Sequence, residues 1–344
     1  MRIYMRSVKQ NTSITASGGL FMCTAISFKT RDHYFGRNLD LEYSLNESVV
    51  VMPRRFPLLF RCMPALRTHL AMIGTAAIAD GYPLYYDATN ESGLSIAALN
   101  FPGNAHYLPT DETKNNVAPL ELIPFLLARC ASAAQARVML ERINLAAIPF
   151  SDALPLSPLH FLISDQNESI VLEPMKDGLH IHDNPCGVLT NNPPFDAQMQ
   201  HLTRFMMLSS REPENRLDPS LPLTPDSRGT GAVGLPGDLS SPSRFVRAVF
   251  MKAHAQCGST QEESVTQFFH ILDSVAHPRG SVIVEDKPEI TVYSSCCTSL
   301  GVYHYTTYEN RQITAVDMRK ENLDGKALSV FPMSSSQQIR MLNC

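Results

Sequence analysis

Cys23 heads the apolar run Met22-Cys23-Thr24-Ala25-Ile26-Ser27-Phe28, and after a turn at residues 30–32 the chain returns as Gly36-Arg37-Asn38-Leu39-Asp40. Two antiparallel strands joined there would set Arg37 and Asp40 near the thiol. Sulfur attacks as the thiolate, which a neighbouring cation favours, while a carboxylate can orient the group that takes the proton. By themselves the three residues also fit a blander picture, because most buried thiols are inert and Arg-x-x-Asp pairs are common on solvated faces. The other seven of the eight cysteines lack the repeated CxxC spacing of a zinc site. They read as reduced core thiols of a cytosolic protein, with adjacent Cys296 and Cys297 pointing to opposite faces of a strand. His180-x-His182 would put two imidazoles on one strand face, but no third ligand stands at a recognisable spacing, and the pair reads as surface.

The elements that must carry these residues are short and mixed. Apolar or alternating runs at 23–28, 48–52, 94–99, 161–165, 169–173, 300–308 and 312–318 predict strands. Helical spacing appears at 119–130, then after Ser132 as a cap, and again at 243–256 and 260–272. Strands first, helices in the middle and strands last predict an α+β layered fold. Residues 209–242, rich in Pro, Gly, Ser and Asp, read as a long excursion that lids a site or reaches a neighbouring subunit. With 344 residues, 44% hydrophobic and 18% charged, the chain can bury a large core, and its net charge of -4 offers no grip on a phosphate backbone.

Several separated segments then align with one known pattern: the Cys23 opening, NESGLSIAALNFPG (90–103), GVLTNNPPFD (187–196) and GLPGDLSSPSRF (234–245). Together they resemble the choloylglycine hydrolase family, the conjugated bile acid or bile salt hydrolases, with penicillin V acylase as the close relative. The resemblance runs from Met22 to about residue 325. It implies a four-layer αββα sandwich of the N-terminal-nucleophile hydrolase type and a cofactor-free enzyme. In such an enzyme Cys23 attacks an amide carbonyl while its own freed α-amino group, of ordinary pKa about 7.7–8.0, serves as the base.

The resemblance further implies that Asp40 orients that amino group, Arg37 favours the thiolate and Asn100 donates to the oxyanion. Asn191 would fix the amino terminus and the reacting carbonyl, and Arg244, early in a helix, would reach back toward the sulfur. Taken singly, Asn191 is equally a turn-former and Arg244 an ordinary surface charge. Leu39, Phe150 and Leu154 fall at positions that line the substrate pocket in relatives. Ala79, in a loop containing Tyr82, stands where relatives often carry an aromatic, which would widen the pocket. Tryptophan is absent, and Ala197 occupies a position where relatives often have one. Asn100 within Leu-Asn-Phe-Pro favours a bile salt conjugated to glycine or taurine over phenoxymethyl-penicillin. A homotetramer using the 209–242 excursion is the expected assembly.

Residues 1–22 carry Arg2, Arg6 and Lys9 but lack the continuous apolar run of a secretory signal, so a cytoplasmic location is expected. Because a peptide bond on the Cys23 nitrogen removes the base, residues 1–22 are expected to be absent from the active enzyme, as a misassigned upstream start or a removable propeptide. The remainder, 23–344, would be one domain. A lipid-modified Cys23 on an anchored binding protein is the remote alternative, disfavoured by the bulky Leu20-Phe21-Met22 before it.

Overall fold

The structure is a computed structural model and describes residues 22–343. The expectation for residues 1–21 therefore lies outside the described residues. Two antiparallel sheets are stacked face to face. The first orders its strands as Val188–Leu189, Met22–Lys29, His33–Leu41, Lys287–Thr298, Val302–Thr307 and Thr314–Asp317, with Val282–Val284 on the long strand. The second runs Gly178–Asp183, Ser169–Met175, Leu159–Ser164, Ser95–Asn100, Tyr82–Asn90, Met72–Ala79, Ser48–Met52 and Ser329–Pro332.

Helices Ser241–Ala253 and Gln261–Asp273 cover the outer face of the first sheet, and Leu122–Leu127 and Ala133–Leu140 cover that of the second. The result is the αββα sandwich. Its layering is visible within single strands. In Ser48–Met52, Val50 and Met52 join the outer core with Leu122, Phe125 and Leu126. Val49 and Val51 instead meet Cys297, Tyr303 and Met318 between the sheets. A strand buried on both sides needs apolar residues at every position, so it reads as an unbroken apolar run.

Local signals set the helix ends. Ser132 Oγ accepts from the Gln135 N–H at 3.2 Å, and Thr260 with Glu263 forms a reciprocal capping box ahead of Gln261–Asp273. The excursion expected over 209–242 ends two residues sooner, because the helix begins at Ser241 with Pro242 in its first turn, where the ring costs no hydrogen bond.

The Tyr82 segment also differs from expectation. Tyr82 is not in a loop but opens a strand, paired with Ala79 across a two-residue turn. Asp80 and Gly81 both take positive φ there, 51° and 77°. That backbone matches the twist of a tight hairpin, for which Asp-Gly is a favoured pair. Cys296 and Cys297, on one strand, do enter different cores, and all seven cysteines among the described residues are free.

Candidate active site

The hairpin Met22–Lys29 and His33–Leu41 sets Cys23 opposite Leu39, Ala25 opposite Arg37 and Met22 opposite Asp40. Directly facing residues of an antiparallel pair share one side of the sheet. Cys23, Leu39 and Arg37 therefore point between the sheets, whereas Thr24, Asn38 and Asp40 point to the helices. Contacts agree: Arg37 Nη1 donates to the carbonyls of Tyr86, at 3.0 Å, and Ala98 in the second sheet. On the other side, Asn38 Nδ2 donates to the Leu272 carbonyl at 2.9 Å. The pleat thus divides the pair, with the cation on the thiol's side and the carboxylate level with the Met22–Cys23 junction. Close strand approach fixes Arg37, because a Cβ on Gly36 would lie 1.9 Å from the Ser295 carbonyl oxygen.

Three further segments converge on the Cys23 backbone. Asn191 Oδ1 accepts from the Cys23 N–H at 2.8 Å and from Arg244 Nη2 at 2.8 Å. Asn191 Nδ2 donates to the Asn100 carbonyl at 2.8 Å. Arg244 Nη1 donates to the Cys23 carbonyl at 2.7 Å and to Thr24 Oγ1 at 2.6 Å. Arg244 is fully buried in the first turn of its helix. A cation at the positive end of a helix dipole is unfavourable there, and these hydrogen bonds to oxygen offset the cost.

Burial dominates the electrostatics. It raises the Cys23 thiol above its ordinary pKa, against Arg37, the Asn100 backbone N–H and Arg244, which lower it, and with Asp40, which raises it. Arg37 and Arg244 together do not offset that burial, so the balance favours the protonated thiol. Burial also raises Asp40, opposed by His277, Arg244 and the Thr291 hydroxyl. Burial works against the charge of Arg37, but Cys23, Tyr293, Asp87 and Asp40 outweigh it and hold the guanidinium firmly charged. Its Nη2 has no hydrogen-bond partner among the described residues.

The expected pocket residues form a second group. Ala79 pairs with Tyr82, whose ring lies 5.5 Å from that of Phe150. The Phe150 N–H donates to the Leu154 carbonyl at 3.1 Å. Arg61 stacks on the Phe150 ring at 3.5 Å and pairs with buried Glu121 at 2.5 Å. Ala79, Phe150 and Leu154 are thus gathered at one end of the second sheet, while Leu39 sits directly across from the thiol.

A model of the linear amide C–N hydrolases, choloylglycine hydrolase family, matches residues 23–331, so the match begins at the cysteine itself. The chain belongs to this family. A bile salt hydrolase/transferase of Lactiplantibacillus plantarum is 49% identical over 324 residues, 94% of this chain and 100% of that one. The Clostridium perfringens bile salt hydrolase/transferase is 40% identical, with 94% and 100% covered. Among solved structures, a variant of the conjugated bile acid hydrolase from Clostridium perfringens superposes with a TM-score of 0.86 at 38% identity, covering 93% of this chain and 100% of that chain. Penicillin V acylase from Agrobacterium tumefaciens shares the fold, with a TM-score of 0.72 at 19% identity over 90% and 91% of the two chains.

Within this choloylglycine hydrolase family member, several residues around the site escaped the sequence reading. His160 stacks on Phe101, ring centroids 4.2 Å apart, and its Nε2 lies 2.8 Å from the Thr190 carbonyl, so one imidazole braces the neighbours of both Asn100 and Asn191. Asp87 accepts from Tyr293 and Tyr303 hydroxyls, each at 2.6 Å, and balances the Arg37 charge. His277, Glu289 and Thr291 surround Asp40. Sequence offered little signal for them: Glu289 and Thr291 lie in a run too polar to read as a strand, and His277 lies between elements. His182 is drawn to Glu173 and Asp196, at 3.4 and 3.1 Å. Among the described residues no group of three or more His, Cys, Asp or Glu side chains is arranged to hold a metal ion.

Proposed function

We propose that this chain cleaves the amide bond between a bile acid and glycine or taurine. The observation that carries the chemistry is the Cys23 nitrogen held by Asn191 Oδ1, which Arg244 holds in turn. A nucleophile whose own nitrogen is anchored in this way suits a base located on that nitrogen. Once residues 1–22 are absent, the neutral α-amino group takes the Cys23 Sγ proton as the sulfur adds to the carbonyl carbon. Asn100 stabilises the resulting oxyanion, with the unpartnered Arg37 N–H adding positive potential. Collapse breaks the C–N bond, the ammonium returns its proton to the departing amine of glycine or taurine, and a thioester remains. Water, deprotonated by the same amine, then adds to the thioester and releases the bile acid and the thiol.

Substrate choice rests on the bile salt hydrolases that the chain resembles, on Asn100, on Leu39 across from the thiol and on the separate group of Ala79, Phe150 and Leu154. A rigid sterol suits such a lining. The proposal includes a cytoplasmic homotetramer. Among the described residues no helix is long and apolar enough to cross a membrane, and the excursion exposes Leu217 and Val233 by 84% and 78%, with Met206 just before it exposed by 80%. Solubilising that many large apolar side chains favours a covering subunit.

The test is turnover of taurocholate, glycocholate and penicillin V by one preparation, alongside Cys23→Ser. Bile salts as the better substrates, and a folded but nearly inactive variant, are expected. Penicillin V as the clearly better substrate would reassign the chain to acylase activity, and full activity in Cys23→Ser would end the thioester mechanism.

A further inference from the structure

On the helix-facing side of the first sheet, behind the nucleophile, three buried polar atoms have no hydrogen-bond partner among the described residues: Asp40 Oδ2, His277 Nε2 and Glu289 Oε2. All three side chains are fully buried. They form a row. His277 Nδ1 lies 2.8 Å from Glu289 Oε1, and His277 Nε2 lies 3.9 Å from Asp40 Oδ2. Thr291 locks the row, donating to Asp40 Oδ1 at 2.6 Å and accepting from the His277 N–H at 2.8 Å. Strand register carries it to the cysteine, because Thr291 pairs with Asp40 and Asp40 with Met22. The Met22 backbone N–H also favours the ionised form of Glu289.

Most buried polar groups in native interiors are hydrogen-bonded, so three unsatisfied atoms along one row call for a partner. While Cys23 is joined to Met22, its nitrogen has a single hydrogen, already given to Asn191. A freed α-amino group brings further N–H donors to the end of the row. We propose that His277 and Glu289 are positioning residues for the Cys23 α-amino base, holding Asp40 and setting the charge that the amine meets. This rests on the α-amino group being the base.

The chemistry of the pair follows from its geometry. With Glu289 ionised, His277 Nδ1–H donates to it and Nε2 presents a lone pair toward Asp40, so an ammonium is the group that satisfies both acceptors. With Glu289 protonated, its O–H donates to Nδ1 and the Nε2–H turns to Asp40, in competition with the amine. With Met22 still joined to Cys23, burial, opposed by Arg244 and the Met22 N–H and reinforced by Glu42, pushes Glu289 up to about 7; the freed chain lacks the Met22 N–H, which removes one of the groups that lower it. His277 is lowered by burial and by Arg244 and Arg247, against Asp40, and stays neutral there.

The experiment uses enzyme whose N-terminus is shown to be Cys23 by intact mass. The kcat and KM for taurocholate are measured across pH for the wild type, Glu289→Gln, His277→Gln and His277→Asn. The α-amine midpoint is read separately by competitive acylation. Glu289→Gln removes an anion that favours the ammonium, so both the amine midpoint and the acid limb of kcat should move at least half a unit toward lower pH, with KM within twofold. His277→Gln, whose amide oxygen keeps an acceptor near the Nε2 position, should retain at least a third of kcat. His277→Asn, which does not, should lose tenfold or more. A folded Glu289→Gln enzyme with midpoint and limb unmoved would overturn the proposal. Should that variant fail to fold, equal kcat in the two His277 variants would do the same. A wild-type acid limb that does not follow the amine midpoint would instead strike at the base itself, and the pair's role would fall with it.

Discussion

Asn191→Asp isolates electrostatics from shape. The side chain is nearly isosteric, and its retained oxygen still accepts from the Cys23 nitrogen and Arg244, each 2.8 Å from Asn191 Oδ1. What changes is a negative charge beside the base. Two unit charges about 4 Å apart attract by about 4 kcal/mol at an effective dielectric of about 20. Arg244, equally close, takes about half of the new charge, leaving about 2 kcal/mol on the ammonium, or about 1.5 pKa units at 1.36 kcal/mol each. The ammonium is favoured, so the acid limb of kcat should move up by about that much, and activity at neutral pH should fall by about 30-fold. Loss of the donation to the Asn100 carbonyl should cost about 1–3 kcal/mol of stability, since a buried acceptor is left unpaired. Stopped assays of bile acid release across pH, with urea unfolding as the control, measure both quantities. A folded variant with an unmoved acid limb would refute the placement of the base on the Cys23 nitrogen.

Gly36→Ala should lower the urea midpoint sharply, by an equivalent of about 3 kcal/mol or more, because its Cβ meets backbone rather than a yielding side chain, 1.9 Å from the Ser295 oxygen; unchanged stability would show that the two central strands can separate cheaply. Phe150→Ala should raise KM for taurocholate by about 10- to 150-fold with kcat within about threefold, because an apolar wall of this size contributes about 1.5–3 kcal/mol to both bound and transition states. An equal fall in kcat with KM unchanged would move Phe150 from the pocket wall to the reacting centre.

Much of the fold was legible where burial on both faces left unbroken apolar runs, as in Ser48–Met52 and Leu159–Ser164. The central strand Lys287–Thr298 was not. It reads as polar, with Pro288, Glu289, Thr291, Ser294 and Ser295, because those side chains serve charges buried between and behind the sheets: Thr291 on Asp40, Ser295 on Asp87 and Glu289 on His277. Chemistry at the site erased the pattern that marks a strand. The strand Tyr82–Asn90 was obscured likewise by Asp87, Thr89 and Asn90, and placing Tyr82 in a loop passes over the Asp80-Gly81 pair, which favours a tight hairpin. Catalytic candidates emerged from several motifs taken together rather than from spacing. His160, His277 and Glu289 did not emerge, because they act through partners brought near only by the folded sheets.

The central claim concerns the nitrogen of Cys23. Two preparations of equal foldedness decide it: the chain beginning at Met1, with its N-terminus verified by intact mass before and after assay, and the chain beginning at Cys23. Taurocholate hydrolysis by the second alone is the predicted result. Normal hydrolysis by the first, with Met1 still attached, would contradict the account, since the amide nitrogen of Cys23 then could not have been the base.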